Sequence, residues 1–211
     1  MAQVSRAGAL GPKGERFLDL LYAANQRLNL TRVARPDAHR RHLEEALCLL
    51  DVAPWEDGAS AIDLGTGGGV PGIPLALALP RVHFCLLERT RKKASFLEAV
   101  VRELQLSNVV VVAEDSRAYA ASEGFRPARY LVSRAAAPLP RLLPELTALL
   151  APGGTALLLV GEREAVPEGI ARLGLEGAEL IRSGAVTVLR LRRRAGPEAR
   201  WRDTGAGAAR P

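Results

Sequence analysis

The chain has little of what metal sites, disulfides and membrane spans require. Its two cysteines, Cys48 and Cys85, stand among apolar neighbours, so we expect two buried free thiols. The three histidines, His39, His42 and His83, lack the spacing of a zinc site. No run of about 18 apolar residues could span a bilayer. The first residues also lack the apolar segment of a signal peptide, so we expect a cytoplasmic protein.

Aromatic residues are also scarce, at 4% of the chain, which argues mildly against a pocket that depends on stacking a flipped base. Basic residues are in excess: Lys and Arg total 29 against 23 Asp and Glu, a net charge of +6. This balance favours polyanionic partners, nucleic acid or an anionic membrane surface, without choosing between them. The 48% hydrophobic content of 211 residues suffices for one buried core, but not for two domains of ordinary size.

The apolar pattern predicts helices first and then strands that alternate with helices. Helical spacing over 15–28 and 37–50 predicts an N-terminal helical extension, residues 1–58. Residues 59–194 predict a doubly wound α/β domain with a mostly parallel sheet. Its strands are expected at 59–64, 81–87, 108–112, 130–133 and 155–160, the third being buried, with a late strand at 185–191 on the sheet edge. Residues 195–211, rich in Gly, Ala and Arg, predict a disordered tail.

The most informative stretch is the glycine-rich loop Gly65–Gly72, which links the first expected strand to a helix. Glycines let the backbone bend tightly and approach a ligand without a Cβ in the way. Asp63 precedes the loop, where a carboxylate suits the sulfonium and amino groups of S-adenosylmethionine better than a pyrophosphate. Glu88 ends the second strand, where it can accept hydrogen bonds from ribose hydroxyls, and Asp115 follows the third, where an adenine amino group would lie.

Two clusters of basic residues have open interpretations. Arg89, Arg91, Lys92 and Lys93 surround the start of a predicted helix, where positive charge opposes the helix dipole. Binding of RNA phosphates and a plain solvated face both remain possible for this cluster. The arginine run within 190–194 either adds electrostatic attraction for RNA or is simply solvated surface.

With these residues the sequence resembles the small-subunit ribosomal RNA methyltransferase G family, also called glucose-inhibited division protein B. The resemblance runs from about Leu28 to Gly161, roughly two-thirds of the chain. Its most specific part is the extension of the glycine loop, Gly-Val-Pro-Gly-Ile-Pro. The motifs that carry it are, in order, 29–31 (NLT), 42–47 (HLEEAL), 63–76 (DLGTGGGVPGIPLA), 86–88 (LLE) with 92–93 (KK) and 96–97 (FL), and 133–139 (SRAAAPL).

The resemblance implies a Rossmann-like methyltransferase with a seven-stranded sheet, which uses S-adenosylmethionine to methylate N7 of a guanosine in 16S rRNA. We expect it to act as a monomer. The resemblance also implies that Gly65 and Val70, with Gly67 in the same loop, contact the methyl donor. It places Arg134 at the mouth of the site, beside donor and guanine. Guanine N7 needs no general base, so the lack of an obvious catalytic His or Cys agrees with this function.

Three details of the site are left open. Arg134 has a structural ion pair as its alternative role, and His42 either lines the site or is a core residue. An ungapped alignment places Asp115, Ser116 and Arg117 at the adenine, whereas a shorter loop would place 113–114 there.

The sequence departs from the family where Glu45-Ala46 replaces Asp-Ser and Val160-Gly161 replaces Lys-Gly. These departures leave two alternatives: a methyltransferase of this fold acting on another RNA, a protein or a small molecule, and a non-catalytic donor-binding protein. An NAD-dependent oxidoreductase is a third alternative, against which Asp63 argues.

Overall fold

A computed structural model describes residues 8, 10–134 and 137–196. The α-helices in that part of the chain are α1 (Gly11–Leu28), α2 (Glu45–Leu47), α3 (Gly72–Ala78), α4 (Arg91–Glu103), α5 (Ser116–Ala120) and α6 (Leu139–Leu149). The strands are β1 (Ser60–Leu64), β2 (His83–Leu87), β3 (Val109–Val112), β4 (Ala128–Arg134), β5 (Leu150–Val160), β6 (Leu175–Ser183) and β7 (Val186–Arg193). No helix in these ranges is long and apolar enough to cross a membrane.

The seven strands form one sheet in the order β3-β2-β1-β4-β5-β7-β6. β1 to β5 are parallel to one another, and β7 is antiparallel to both β5 and β6. The doubly wound, mostly parallel fold expected from the sequence is therefore confirmed. The chain order reverses between β1 and β4, and ligands of such sheets bind outside the carboxyl ends of the strands at that point.

The predictions of which strands lie at the edges of the sheet were wrong. The third strand was expected to be buried, but β3 is an edge strand and Val110 is 60% exposed. The late strand was expected at the edge, but β7 lies between β5 and β6. β6 went unpredicted because its exposed, charged positions interrupt the apolar pattern, and α5 went unpredicted because it is only five residues long.

The N-terminal helical residues share one hydrophobic core with the rest of the chain. Phe17 and Leu21 of α1 are buried in the same cluster as Ile73 of α3 and Leu97 of α4. A second cluster, which includes α6, covers the opposite face of the sheet. The predicted domain boundary after residue 58 therefore stays a prediction, and most of the predicted tail lies outside the described residues.

The second N-terminal helix is irregular where the sequence predicted one helix over 37–50. A 3-10 turn, Arg35–Asp37, precedes a π-helical stretch, His39–Glu44, which leads through α2 into a 3-10 turn, Cys48–Asp51. π-helical turns are rare and are often found at functional sites. His42 lies in this stretch.

Candidate functional site

A cavity of about 530 Å³ opens at the carboxyl ends of β1, β2 and β4. This is the place that the sheet topology favours for a ligand, and the volume suits a small molecule. Residues singled out in the sequence that line it are Gly65, Gly67, Glu88, Arg89, Lys93, Glu114, Asp115, Ser116, Arg117 and Arg134.

The glycine turn and the end of β2 form one wall of the cavity. Gly65 and Gly67 have φ of 67° and 58°, a left-handed conformation that favours glycine. The nearest atom to a Cβ on Gly67 would be the Gly65 carbonyl oxygen at 3.9 Å, so there is free space over the turn. Glu88 accepts hydrogen bonds from the amides of Gly67, at 3.1 Å, and Thr90, at 2.8 Å. A carboxylate has about four acceptor sites, so Glu88 keeps capacity for ligand hydroxyls.

Asp63 lies beneath the glycine loop, not in the cavity wall that the sequence led us to expect. Its side chain is fully buried, and Oδ2 accepts hydrogen bonds from Thr66 Oγ1 at 2.6 Å and the Gly72 amide at 2.8 Å. Burial raises the pKa of Asp63 to about 6, although these two hydrogen bonds oppose the shift. Among the described residues, Oδ1 has no hydrogen-bond partner. Asp63 therefore braces the loop from below.

Val70 likewise does not line the cavity, although the family resemblance implied a donor contact there. Its side chain is 5% exposed and packs into the core cluster that holds α1, α3 and α4. The Val70 side chain is apolar, and its burial is favourable because it removes apolar surface from water.

The start of α5 forms another part of the cavity wall. Asp115 caps this helix, because its Oδ1 accepts hydrogen bonds from the amides of Ala118 and Arg117, each at 2.9 Å. These bonds lower the pKa of the Asp115 carboxyl. Ser116 donates to Glu145 of α6 at 2.8 Å, and both line the cavity. Sequence reasoning missed Glu145, because only the packing of α6 against α5 brings it here.

Arg134 ends β4 and reaches the cavity from the side of the N-terminal helices. Its Nη1 donates to the carbonyl oxygen of Arg41 at 2.7 Å, and its Nη2 lies 3.1 Å from Nδ1 of His42. Burial lowers the pKa of Arg134, while the nearby charges of Glu45 and Asp63 oppose that shift. Among the described residues no carboxylate lies within 4 Å of it, so the alternative of an ion pair finds no partner there.

His42 is fully buried and lines neither of the two described cavities, but its ring is hydrogen-bonded to Arg134, which lines the first. Burial lowers its pKa to about 4, and the positive charges of Arg134 and Arg41 act in the same direction. The imidazole is therefore neutral at neutral pH. The buried Glu45 accepts hydrogen bonds from Arg41 at 2.7 Å and from Arg40 at 3.4 Å, so it holds the Arg41 charge near the histidine.

The basic residues at the start of α4 form no ion pair with the part of the chain that the structure describes. Arg91 and Lys92 are exposed, and the cavity is lined by the exposed Arg89 and the half-buried Lys93. Within the described ranges, none of the four lies within 4 Å of a carboxylate.

The C-terminal arginine run has structural partners. Arg190 of β7 pairs with Glu179 of β6 at 2.6 Å, and Arg194, which follows β7, pairs with Glu176 of β6 at 3.4 Å. Arg193 donates to the carbonyl oxygen of Leu150. This run supports the sheet more than it offers free charge.

A second cavity of about 450 Å³ lies beside the first, at the carboxyl ends of β4 and β5. The two share Ala137 and Leu142 in their walls. Leu139 and Leu158 make the second cavity apolar, and Val160, where the sequence departs from the family, also lines it.

Known structures agree with the fold. A SAM dependent methyltransferase from Aquifex aeolicus superposes with a TM-score of 0.56 at 12% identity, covering 75% of this chain and 93% of its own. A mutant of MtNAS, solved in complex with S-adenosylmethionine, gives a TM-score of 0.61 at 17% identity, covering 92% of this chain and 80% of its own. At these identities the likeness concerns the fold alone.

Sequence relatives identify the family. A ribosomal RNA small subunit methyltransferase G of an Anaeromyxobacter species is 36% identical over 194 residues, which cover 90% of this chain and 87% of the relative. The protein of the same description from Methylococcus capsulatus is 37% identical over 177 residues, 79% of this chain and 83% of the relative. The family model described as rRNA small subunit methyltransferase G matches residues 12–168. The chain therefore belongs to the rRNA small subunit methyltransferase G family, as its motifs predicted.

Proposed function

We propose that this protein transfers a methyl group from S-adenosylmethionine to N7 of a guanosine in 16S rRNA, as a monomer in the cytoplasm. The observation that carries the proposal is that one cavity holds both the donor-binding features and Arg134. Membership of the rRNA small subunit methyltransferase G family supplies the class of acceptor.

The residues at the cavity fit the methyl donor. Glu88 has acceptor capacity for the two ribose hydroxyls, and the glycine turn leaves room for the ligand to lie against the backbone. Asp115, Ser116 and Arg117 at the start of α5 would surround the adenine. In this arrangement Asp63 and Val70 act through the shape of the loop, because their side chains lie under it.

The donor supplies an electrophilic methyl group on a sulfonium. Guanine N7 attacks that carbon with its exposed lone pair, so the C–N bond forms as the C–S bond breaks, and the positive charge passes to the base. No proton leaves the attacking atom, so the protein needs no base. Its work is to align the two groups and to exclude water.

Arg134 would align the acceptor. Two of its five N–H donors are used by Arg41 and His42, which leaves three for a guanine O6 or a phosphate oxygen. The adjoining apolar cavity offers Leu139, Leu142 and Leu158 as a surface against which a base could pack without aromatic stacking.

The free basic residues at the start of α4 would bind RNA phosphates near the mouth of the cavity. Lys93 belongs to the cavity wall and Lys92 is exposed beside it, so both could contact RNA that delivers a base to the site. Arg89 and Arg91 would extend the same surface.

The experiment is methyl transfer from radiolabelled S-adenosylmethionine to small-subunit particles and to naked 16S rRNA, both from a strain without this gene. We expect label in 16S rRNA and a loss of rate of about 100-fold or more in Arg134→Ala, as misalignment costs. Arg172→Ala, an exposed arginine away from the cavity, is the matched control and should keep the rate. Donor binding without any label would indicate a donor-binding protein, and label elsewhere another acceptor.

A further inference from the structure

The Arg134 guanidinium is fixed by the N-terminal helical residues and not by an acid. Its two hydrogen-bond partners, the carbonyl oxygen of Arg41 and Nδ1 of His42, are 93 and 92 residues away along the chain. Among the described residues no carboxylate shares these contacts. An arginine held in this way keeps its charge available to a substrate, because no salt bridge neutralises it.

The contact with Arg134 determines the tautomer of His42. A guanidinium only donates hydrogen bonds, so Nδ1 must accept and cannot carry a proton. The neutral imidazole then carries its proton on Nε2, which lies 3.1 Å from Thr31 Oγ1. Thr31 Oγ1 also accepts a hydrogen bond from the Val33 amide at 3.1 Å. The imidazole thus has one acceptor and one donor, and both are used.

Thr31 is itself held in place by α1. Asn25 donates to the Thr31 carbonyl oxygen at 3.0 Å and accepts from the amides of Thr31, at 2.9 Å, and Leu30, at 2.6 Å. The Tyr22 hydroxyl donates to the Val33 carbonyl oxygen at 2.8 Å. A continuous series of hydrogen bonds therefore runs from α1 through Thr31 and His42 to the end of β4.

We infer that His42 is a positioning residue, which aims Arg134 at the acceptor by accepting its Nη2 hydrogen bond while its Nε2–H is anchored on Thr31. The inference rests on the proposed function, in which Arg134 contacts the acceptor. In this inference the N-terminal helical residues contribute to the reaction, because they hold in place the guanidinium of Arg134, which belongs to β4. Without the Nδ1 acceptor, Arg134 would lose its fixed direction while the donor-binding wall around Glu88 stays intact.

Two nearly isosteric variants separate the two ends of the imidazole. His42→Asn keeps an acceptor close to the position of Nδ1, whereas His42→Gln keeps a donor close to the position of Nε2. We expect His42→Asn to retain the single-turnover rate at saturating donor within about threefold, and His42→Gln to lose about 10- to 100-fold, as misalignment costs. The Kd of the donor should stay unchanged in both.

A double-mutant cycle tests whether His42 acts through Arg134. In the Arg134→Lys background, His42→Gln should cause little further loss of rate, because the interaction that it removes is already gone. Equal losses of rate in His42→Asn and His42→Gln would overturn the inference. So would a loss in His42→Gln that is fully additive with that in Arg134→Lys. Either result would mean that His42 serves general stability.

A measurement independent of activity separates this inference from the proposed function. Nitrogen NMR of the imidazoles reports which ring nitrogen carries the proton, and the chain has only three histidines to assign. We expect the His42 proton on Nε2 in the wild-type protein and a change of the Arg134 side-chain signals in His42→Gln. A proton on Nδ1 would overturn the inference even if rRNA is methylated. The Nε2 tautomer together with an absence of rRNA methylation would instead refute the proposed acceptor.

Discussion

Substituting Gly72 by alanine perturbs the contact that closes the glycine loop on Asp63. The added Cβ would lie 2.4 Å from Leu86 Cδ2 and 2.6 Å from Asp63 Oδ2, both closer than van der Waals contact allows. Neither side chain can move away, because both are fully buried. The same Asp63 oxygen accepts a hydrogen bond from the Gly72 amide at 2.8 Å. Moving this oxygen away from the added Cβ would therefore lengthen the hydrogen bond.

The magnitude follows from three terms. Overpacking costs about 1–3 kcal/mol, and a weakened hydrogen bond to a charged group costs about 1.5–3 kcal/mol. Removing a helical glycine returns about 0.5–1 kcal/mol. We therefore expect Gly72→Ala to lower the free energy of unfolding by about 2–5 kcal/mol and Tm by on the order of 10 °C.

The assay is thermal and urea unfolding, together with calorimetric titration of S-adenosylmethionine into the folded variant. Gly124→Ala is the matched control, since a Cβ there meets nothing within 4 Å, and it should change stability by less than about 0.5 kcal/mol. The donor Kd should rise in Gly72→Ala alone. Equal Tm values for the two variants, with unchanged donor affinity, would refute the idea that Asp63 braces the loop.

Three further predictions concern donor, RNA and pH. In Glu88→Gln the side-chain N–H₂ would face the backbone N–H of either Gly67 or Thr90, and one hydrogen bond would be lost. The Kd of S-adenosylmethionine should therefore rise roughly 10- to 100-fold by calorimetry; an unchanged Kd would contradict the role of this carboxylate. Replacing Lys92 and Lys93 by alanine should flatten the log–log salt dependence of RNA binding by about 1.5, whereas Lys13→Ala should not alter it; three equal slopes would exclude this surface. Because the pKa of His42 falls from 6.5 to about 4 on folding, only the unfolded chain takes up this proton as the pH drops from about 6.5 to 4. The free energy of unfolding should decrease over that window, and less so in His42→Gln; identical pH profiles in urea titrations would show that the imidazole is not buried as described.

The local parts of the site could be predicted from the sequence because they follow from chain order alone. A glycine loop between a strand and a helix, and Glu88 at the end of the next strand, must meet, since neighbouring parallel strands end at the same edge of the sheet. For the same reason Asp115 was expected near the cavity, and it lines the cavity.

The burial of individual side chains, and contacts between residues far apart in the chain, could not be predicted in this way. Asp63 has the right position in the chain, but only the closed loop shows that its carboxylate is used by Thr66 and Gly72 beneath the ligand cavity. The hydrogen bond from Arg134 to His42 joins residues 92 positions apart, and no local pattern encodes such a contact. Glu145 was missed for the same reason.

Nucleoside analysis of the methylated product shows directly which atom of the RNA receives the methyl group. 16S rRNA from a strain without this gene is incubated with the protein and S-adenosylmethionine, digested to nucleosides and resolved by chromatography with mass detection. We expect 7-methylguanosine to form with the wild-type protein and to be strongly reduced with Arg134→Ala. A methyl group on a guanine amine or on a ribose would contradict the proposed chemistry, because those acceptors must lose a proton and no residue of the site is proposed to remove one. A methyl group on another base would contradict the proposed acceptor.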